Sequence, residues 1–471
     1  MPAKHAREVL VVLLSVLSMG PAACAQADAA PVAPAGPQRV AMPAGGHFEF
    51  WNDATEYTKT YHVAQNHPAA SDDNPGTADE PFASINRAAE LLQPGERVVV
   101  HEGVYRECVR PARGGTGPDA MIHYRAAGGE EVHVRASEVW QPALKPSAGY
   151  WVPDGLDPPM LMADLPGGAF DGYNPFLISN VPRAMMRYGW EWTEEEFQRL
   201  YLRRGAIYID GEPLEQVFWL GDLRDRTGAF WVEPSGVRVH LRLPKGVNAS
   251  TAAFEISVRE QCFAPPTGDL PYIRVSGFHF AHAANGVPWP QRGMLSASRG
   301  DHWIVEDCTF RFANALAIDL GEQDWWRHVD PPYGRHIVRR NVIADCGACG
   351  LAADENNDGM LIENNTFERI GGLNVERTLE CAAIKLHEGR NVLIRNNVFR
   401  DVDRAAGVWL DRSNQNCRVT GNVFANVTTM LGAAYVEVSQ EPNAIDHNVF
   451  WNIRDGDLRG DDKPDYVPHG G

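Results

Sequence analysis

A short phrase repeated five times constrains the fold of this chain more than any other feature. An Asn, a β-branched residue and a large apolar residue recur at intervals of 24, 32, 25 and 26 residues, as Asn341-Val-Ile, Asn365-Thr-Phe, Asn397-Val-Phe, Asn422-Val-Phe and Asn448-Val-Phe. A period near 24 residues is too short for repeats of helical hairpins and suits one coil of a parallel β-solenoid. Since each coil covers the apolar face of the previous one, function is expected on an outward face of the coils.

The rest of the chain divides around this repeat. Ser84 is a suitable N-cap for a short helix, which predicts a capping helix at the start of the solenoid. Between residues 140 and 260 the coil rhythm is interrupted by Trp, Pro and short strand patterns. The predicted segments after the N-terminal region are a cap with first coils (47–139), a β-rich insertion (140–260), coils that carry the site (261–455) and a tail (456–471).

The N-terminus has the order of an export signal. Lys4 and Arg7 precede an apolar run from Val9 to Met19, and small residues follow up to Ala25. Residues 1–25 are therefore predicted to be a signal peptide, which implies a secreted or periplasmic protein.

The sequence after the signal predicts no segment that spans a membrane. Residues 26–46 are rich in Ala, Pro and Gly and predict a flexible tether. No later run reaches the ~18 apolar residues of a transmembrane helix. A lipid anchor through Cys24 is disfavoured, because Pro21 stands where lipoprotein signals usually have Leu.

Charge and cysteine content exclude some classes of function. The net charge is -18, so the chain lacks the basic surface that nucleic acids require. The cysteines are scattered, and Cys346-Gly-Ala-Cys349 has no second pair at the spacing of a zinc site. We interpret the cysteines as small side chains that fill space in the core. No cofactor is predicted apart from an optional calcium ion.

Each coil also holds a second strand after its Asn phrase, and these strands align. The aligned segments are Ile318–Gly321, Leu351–Asp354, Ile384–His387, Val408–Asp411 and Val436–Ser439. Because strand side chains alternate, the first and third positions are predicted to face the core and the others to point outward. The two outward columns are then Asp319, Ala352, Lys385, Trp409 and Glu437, and Gly321, Asp354, His387, Asp411 and Ser439.

These columns predict a chemically active patch. Neighbouring coils lie ~4.8 Å apart, so Asp354, Lys385, His387, Asp411 and Glu437 are expected to lie together. Like charges at such distances perturb one another's pKa values, as acid/base catalysis requires. A plain solvated face is the alternative, but it usually carries scattered Lys, Glu, Thr and Ser instead of this set.

Paired carboxylates beside Trp409 favour glycosidic chemistry, in which a sugar ring stacks on the indole while one acid protonates the leaving oxygen. Asp411 and Glu437 on adjacent coils fit the ~5–5.5 Å gap of a retaining mechanism, with Asp411 as nucleophile and Glu437 as acid/base. Asp354 and Asp411, two coils apart, are nearer the ~6.5–9.5 Å of an inverting pair. The retaining pair is favoured.

Lys385 and His387 leave a second reaction open. In β-elimination of a uronic acid polymer, Lys385 would remove the proton next to a carboxylate that Arg412 neutralises. Glu380 and Asp354 would then hold calcium through oxygen ligands. The net acidity and Trp409 weigh against this polysaccharide lyase, and Lys385 can instead orient a carboxylate by an ion pair.

The N-terminal phrases Ser71-Asp-Asp-Asn-Pro-Gly-Thr, Pro81-Phe-Ala-Ser-Ile and Gly103-Val-Tyr-Arg, together with the coils, resemble secreted right-handed parallel β-helix proteins of the pectate-lyase-like superfamily. The resemblance covers roughly residues 60–140 and 255–452. It implies an all-β fold, a right-handed parallel β-helix. It is less specific for activity, since this fold hosts lyases, hydrolases, esterases and binding proteins.

Two segments carry a narrower resemblance. Gly407-Val-Trp-Leu-Asp411, followed one coil later by Ala434-Tyr-Val-Glu437, is similar to β-helical glycoside hydrolases such as families 120 and 141. In the xylosidases of family 120 an Asp and a Glu on successive coils are nucleophile and acid/base, which implies those roles for Asp411 and Glu437. Calcium-dependent lyases of the same fold have Arg-His-Gly where this chain has Asp411-Arg412-Ser413. This departure from the lyase motif weighs against the lyase.

The sequence therefore predicts a secreted, β-xylosidase-like retaining glycoside hydrolase that acts on plant or algal polysaccharide or oligosaccharide. Asp411 and Glu437 are the predicted catalytic residues. The predicted substrate-binding residues are Asp354, Glu380, Lys385, His387, Trp409 and Arg412. The alternatives are the lyase with Lys385 as base and a carbohydrate-binding solenoid without turnover.

Overall fold

Three parallel β-sheets wind around one elongated apolar core in the computed structural model of the protein. The structure describes residues 39–148, 152–153, 155–180, 198, 201–286, 291–321, 333–354, 357–373, 381–439 and 441–455. From residue 273 to residue 436 each coil contributes one strand to each sheet in turn, and strands of successive coils pair in parallel. The predicted parallel β-helix is therefore confirmed.

Sheet 1 receives the strand that precedes each Asn phrase. It has ten strands. In spatial order they are β1 (Lys59–Val63), β2 (Glu96–Val100), β4 (Ile122–Ala126), β15 (Ile273–Ser276), β18 (Ile304–Glu306), β22 (Ile337–Arg339), β26 (Leu361–Glu363), β29 (Leu393–Arg395), β32 (Arg418–Thr420) and β35 (Ala444–Asp446).

Sheets 2 and 3 follow the Asn phrase in each coil. Sheet 2 contains β3 (Gly103–Tyr105), β5 (Val132–Arg135), β16 (His279–Ala281), β19 (Thr309–Arg311), β23 (Val342–Cys346), β27 (Thr366–Ile370), β30 (Val398–Asp403), β33 (Val423–Thr429) and β36 (Val449–Asp455). Sheet 3 contains β17 (Leu295–Ser296), β20 (Leu316–Asp319), β24 (Cys349–Ala353), β28 (Ala382–Leu386), β31 (Ala406–Leu410) and β34 (Ala434–Val436). A short parallel pair, β21 (Tyr333–Gly334) and β25 (Asn357–Asp358), follows sheet 3 in two coils.

The segment between β5 and β15 forms two further sheets, in which most strands pair antiparallel, and these sheets have a core of their own. One contains β10 (Glu212–Pro213), β9 (Ile207–Ile209), β14 (Phe254–Ser257) and β6 (Ser137–Trp140). The other contains β11 (Glu215–Gln216), β12 (Ala229–Val232), β13 (Arg238–Arg242), β8 (Leu161–Asp164) and β7 (Lys145–Pro146). Among the described residues of this segment, 3-10 helices span Gly167–Ala169 and Leu220–Arg224. We refer to this part as the insertion.

The predicted capping helix is also confirmed. It spans Ile85–Leu91 as α1, and the Ser84 hydroxyl accepts a hydrogen bond from the Arg87 amide at 3.2 Å. Ile85 and Ala88 are fully buried against the first coils. The helix thus covers apolar side chains at the N-terminal end of the solenoid, where no earlier coil can cover them.

The N-terminal segment lies against the outer face of sheet 1. Met42 and Phe48 are buried in a small apolar cluster with Ile337, Leu361 and other residues of that face. Farther along the sheet, the Arg418 guanidinium donates to the carbonyl of Ala41 at 2.7 Å. These contacts hold residues that the sequence assigns partly to the tether.

The Asn phrases form a ladder of hydrogen bonds inside the turn between sheets 1 and 2. The Nδ2 atom of each Asn donates to Oδ1 of the Asn in the next coil at 3.0 Å, from Asn341 through Asn448. Each Oδ1 also accepts the backbone amide of the preceding Asn. The ladder satisfies backbone groups that the turn would otherwise bury, which explains the repeated residue type.

Replacing Asn397 with Ala tests the ladder. The substitution removes two bonds to Oδ1 and two from Nδ2, including the bond to the carbonyl of Ile362 at 3.0 Å. We expect a loss of about 3 kcal/mol of unfolding free energy, because buried donors and acceptors remain unsatisfied. Denaturant unfolding measures it. Asn452→Ala, which removes exposed bonds to Asn426 and Arg454, is the control and should change stability far less; equal losses would contradict this role of the ladder.

Candidate active site

The register of sheet 3 places the predicted site residues in two columns that point away from the main core. Lys385 pairs with Trp409, and Trp409 pairs with Tyr435. We call Lys385, Trp409 and Tyr435 the aromatic column. One strand position beyond the ends of these strands, Asp354, His387, Asp411 and Glu437 form a second column, the acidic column.

Backbone hydrogen bonds define the acidic column. The amide of His387 donates to the carbonyl of Ala353, that of Asp411 to Leu386 and that of Glu437 to Leu410, at 3.0, 2.9 and 2.8 Å. The same bond thus recurs in three successive coils. Asp411 and Glu437 are therefore direct neighbours along one column.

This register corrects the sequence alignment of the last coil. The alignment matched Val436 and Val438 to the inward positions and placed Glu437 beside Trp409, which is two residues out of register. The structure pairs Val436 with Leu410. Val438 is 53% exposed and has a left-handed backbone with φ of 42°. Because its side chain is apolar, Val438 matches the sequence pattern of a core position, although the strand has already ended at this point.

Two basic side chains contact the carboxylate of Asp411. Lys385 Nζ lies 3.1 Å from Asp411 Oδ2, and His387 Nε2 lies 2.6 Å from the same oxygen. The backbone amide of Arg412 donates to the other oxygen, Oδ1, at 2.7 Å. Both carboxylate oxygens are therefore held in fixed positions.

The contacts decide the protonation of the pair. Burial alone would raise the pKa of Asp411, but the Lys385 ammonium and the hydrogen bond to His387 outweigh it and hold that pKa far below its usual range. Burial alone would lower the pKa of His387, but its contacts with Asp354 and Asp411 raise it, against the opposing charge of Lys385. Asp411 is therefore ionised and the imidazole favours its protonated form.

Asp354 completes a chain of contacts through the imidazole. His387 Nδ1 lies 2.6 Å from Asp354 Oδ1, while Nε2 faces Asp411. Asp354 is fully buried. The two Asp side chains thus fix the orientation of the ring from opposite sides.

Glu437 has a different environment. It is half-buried, and the indole Nε1 of Trp409 donates to its Oε2 at 3.1 Å. The Trp409 ring also lies 4.2 Å from Lys385 Nζ and 5.8 Å from the Tyr435 ring. Trp409 therefore links the two carboxylates of the predicted catalytic pair, because it contacts Glu437 directly and Asp411 through Lys385.

The patch is much less exposed than the sequence predicts for an outward face. Lys385, His387, Trp409 and Asp411 are each no more than 8% exposed. The indole is therefore mostly covered, and the exposed part of the site lies toward Glu437 at the last coils.

Arg412 and Glu380 are the two remaining residues that the sequence predicts for the site. The guanidinium of Arg412 lies 3.6 Å from the carboxylate of Glu388. Glu380 lies outside the described residues, so the calcium site that the sequence allows with Asp354 stays a prediction. Within the described residues, no group of three or more His, Cys, Asp and Glu side chains is arranged to hold a metal ion.

Sequence reasoning did not identify Tyr435 and Glu388 as site residues. Tyr435 could have been found by counting from the Asn ladder, because Trp409 follows Asn397 by 12 residues and Tyr435 follows Asn422 by 13. Glu388 directly follows His387 but has a left-handed φ of 51°, beyond the strand, where alternation no longer predicts direction. It therefore carried no periodic signal.

The family model for a right handed beta helix region matches residues 280–458. The coils therefore have the fold of a right-handed parallel β-helix. Among solved structures, the β-helix is similar to the complex of XylC with xylose, with 27% sequence identity and a TM-score of 0.68. That match covers 83% of this chain and 66% of XylC, so the chain spans slightly less than two thirds of that relative.

Two more distant solved structures also match the β-helix. One is a glycoside hydrolase, with 13% identity, a TM-score of 0.48 and coverage of 84% of this chain and 96% of the other. The second is a GH136 lacto-N-biosidase from Eubacterium ramulus, with 14% identity, a TM-score of 0.46 and coverage of 84% and 65%. No curated protein matches the sequence. Within the described residues, no helix is long and apolar enough to cross a membrane.

Proposed function

We propose that the protein is an exported, retaining glycoside hydrolase with Asp411 as nucleophile and Glu437 as acid/base. The observation that supports this most is their position as neighbours in the acidic column. Adjacent strands lie ~4.8 Å apart, close to the ~5–5.5 Å between the carboxyl groups of retaining enzymes. The similarity to XylC, solved with xylose, favours xylosides of plant or algal oligosaccharides as substrates.

The environments of the two carboxylates suit these roles. A nucleophile must be ionised, and Lys385 and His387 hold Asp411 in that form. An acid/base must gain and lose a proton, and Glu437 is half-buried and accepts a hydrogen bond from the indole of Trp409. Two carboxylates in contrasting surroundings are the usual basis for this division of roles.

The reaction would proceed in two steps. Asp411 attacks the anomeric carbon while Glu437 protonates the departing glycosidic oxygen, which gives a glycosyl ester on Asp411. Glu437 then removes a proton from water, which displaces Asp411 from the sugar. Lys385 and His387 stabilise Asp411 when it leaves as a carboxylate, and Asp354 keeps His387 oriented.

The contacts weigh against both alternative mechanisms. An inverting pair of Asp354 and Asp411 needs space for water and sugar, but the His387 ring lies between them at 2.6 Å from each. A lyase needs a neutral Lys385, whereas its ammonium forms an ion pair with Asp411 and lies over Trp409. The retaining hydrolase is therefore favoured over the polysaccharide lyase.

Trapping the glycosyl ester tests the proposed nucleophile. A 2-deoxy-2-fluoro xyloside with a good leaving group should inactivate the enzyme and add one sugar mass to the peptide that contains Asp411. The fluorine slows both steps, and the activated leaving group lets the first proceed. Label on any other carboxylate would contradict the assignment, and Asp411→Asn should remain unlabelled.

The role of Lys385 predicts a change in the pH dependence. In Lys385→Met, the pKa of Asp411 should rise by about 1–2 units, because a neighbouring cation is lost. Since only ionised Asp411 is active, kcat/KM of the variant should be lost at a higher pH on the acid side than that of the unmodified enzyme, in which the low pKa of Asp411 keeps the carboxylate ionised. Lys245→Met, an exposed control, should leave the profile unchanged. An unchanged acid side of the profile in Lys385→Met would contradict this role.

A further inference from the structure

The insertion contains two adjacent cavities away from the acidic column. Their volumes are about 340 and 270 Å³. The shared wall consists of Leu202, Arg203, Gln216, Val217 and Phe218. Together they have the size of a ligand site, since small-molecule pockets have volumes of roughly 300–1,000 Å³.

The smaller cavity is lined by aromatic side chains. Trp219 is 57% exposed at its rim, and its ring lies edge-on to that of Phe218 at 4.7 Å. Trp231 lies in the same wall, and its Nε1 donates to the carbonyl of Phe218 at 3.1 Å. Tyr201 is a fourth aromatic residue of this lining. An exposed indole beside other aromatic rings offers an apolar platform with polar edges, which suits the face of a sugar ring.

The larger cavity has an unsatisfied polar group in its wall. Asn180 is only 2% exposed, and its Oδ1 accepts a hydrogen bond from Asn314 Nδ2 at 2.8 Å. In the described structure its Nδ2 has no hydrogen-bond partner. A buried amide without a partner costs roughly 1–3 kcal/mol, so this wall of the cavity carries polar groups that are not fully satisfied within the protein.

The charges around the cavity are balanced. Its lining contains the cations Arg203 and Arg226 and the anions Glu215 and Asp222. Arg226 and Glu215 form an ion pair with each other, and both side chains are more than half exposed. Among the described residues of this lining, cations therefore do not outnumber anions, as they would in a site for a phosphate or a uronate. Balanced charge, hydrogen-bonding groups and an aromatic platform fit a neutral, polyhydroxylated ligand.

The cavities are separate from the candidate active site. The larger one meets the solenoid at Asn314 and Leu373, which follow sheet 2 and lie at the corner before sheet 3. The acidic column lies beyond the other end of the sheet 3 strands. A five-residue strand such as β28 is about 16 Å long, which is the length of a few sugar units.

We propose that these two cavities form a binding site for a neutral sugar unit of the substrate, distant from the bond that is cleaved. The assignment of the ligand as substrate rests on the proposed function. The site would increase the affinity for longer oligosaccharides by adding a second point of attachment. It would not take part in bond cleavage.

Calorimetric titration of the Glu437→Gln variant with linear xylo-oligosaccharides of one to six units tests the site. The exposed Trp219 is the residue to remove. When Trp219→Ala is introduced into the Glu437→Gln variant, the affinity for the six-unit oligosaccharide should fall at least tenfold. Introducing Trp451→Ala into the same variant should leave the affinity unchanged. Trp451 is a matched control, since it is 59% exposed on the last coil. Equal affinities with and without Trp219, or no binding of any oligosaccharide, would overturn the proposal.

Kinetics of Trp219→Ala in the otherwise unmodified enzyme separate this site from the catalytic one. We expect KM for the six-unit oligosaccharide to rise about tenfold, with kcat and the turnover of a short aryl xyloside unchanged. A matching loss on the aryl xyloside would show a structural role and overturn the proposal. If the unmodified enzyme hydrolyses no glycoside, the proposed function fails, whereas the titration still decides whether the insertion binds sugar.

Discussion

Asp411→Asn should reduce kcat/KM by at least about a thousandfold, the scale observed when an enzyme loses its nucleophile. The amide has nearly the shape of the carboxylate but cannot form the glycosyl ester. Initial rates on an aryl xyloside and on oligosaccharides measure the loss. Asp401→Asn, which changes an exposed carboxylate on the preceding strand, is the matched control and should retain activity. Turnover close to that of the unmodified enzyme would exclude Asp411 as nucleophile.

The same substitution should also lower stability. Lys385 and His387 are no more than 6% exposed and would lose the carboxylate that they share. Breaking a buried ion pair in this way costs about 3–5 kcal/mol. Circular dichroism at the assay temperature must therefore show the native spectrum, so that the lost rate is attributed to chemistry. In a stable scaffold of three sheets, we expect the fold to persist.

Glu437→Gln should have the second largest effect, and its size should depend on the leaving group. General acid catalysis accelerates a reaction by about 10²–10⁴-fold, so the rate on oligosaccharides should fall by a factor in that range. For an activated aryl glycoside, the rate of the first step should fall less, because its leaving group needs little protonation. Azide, which needs no general base, should restore turnover of the activated substrate and give a glycosyl azide with retained configuration.

The control for this variant lies in the same coil. Glu441 is exposed and outside sheet 3, so Glu441→Gln should change neither rate nor azide dependence. A Glu437→Gln enzyme that loses equal activity on both substrate types and is not rescued by azide would contradict the acid/base role.

The parallel sheets and most of the site were predictable because solenoid coils are local and periodic. The Asn ladder fixes the repeat, and strand alternation then places Lys385 next to Trp409 and His387 next to Asp411 without any long-range information. Prediction failed in the last coil, where Val438 imitates an inward position although the strand ends at Val436. Hydrophobicity alone could not reveal this end.

Other features depend on contacts between distant parts of the chain. Asn180 meets Asn314 across the boundary between the insertion and the coils, and Ala41 meets Arg418 on sheet 1. The insertion has no repeat that would relate one strand to the next, so its pairing cannot be counted from a ladder. The burial of the acidic column likewise follows from packing that a strand pattern does not encode.

Product analysis across a panel of neutral and uronate-containing oligosaccharides tests the central claim most directly, because it reports how the glycosidic bond is broken. Each digest is assayed both for new reducing ends and for the ultraviolet absorbance of unsaturated uronates. A retaining hydrolase at Asp411 and Glu437 predicts new reducing ends without that absorbance. Unsaturated products would establish elimination, binding without products would establish a carbohydrate-binding solenoid, and either result would contradict the proposed hydrolase.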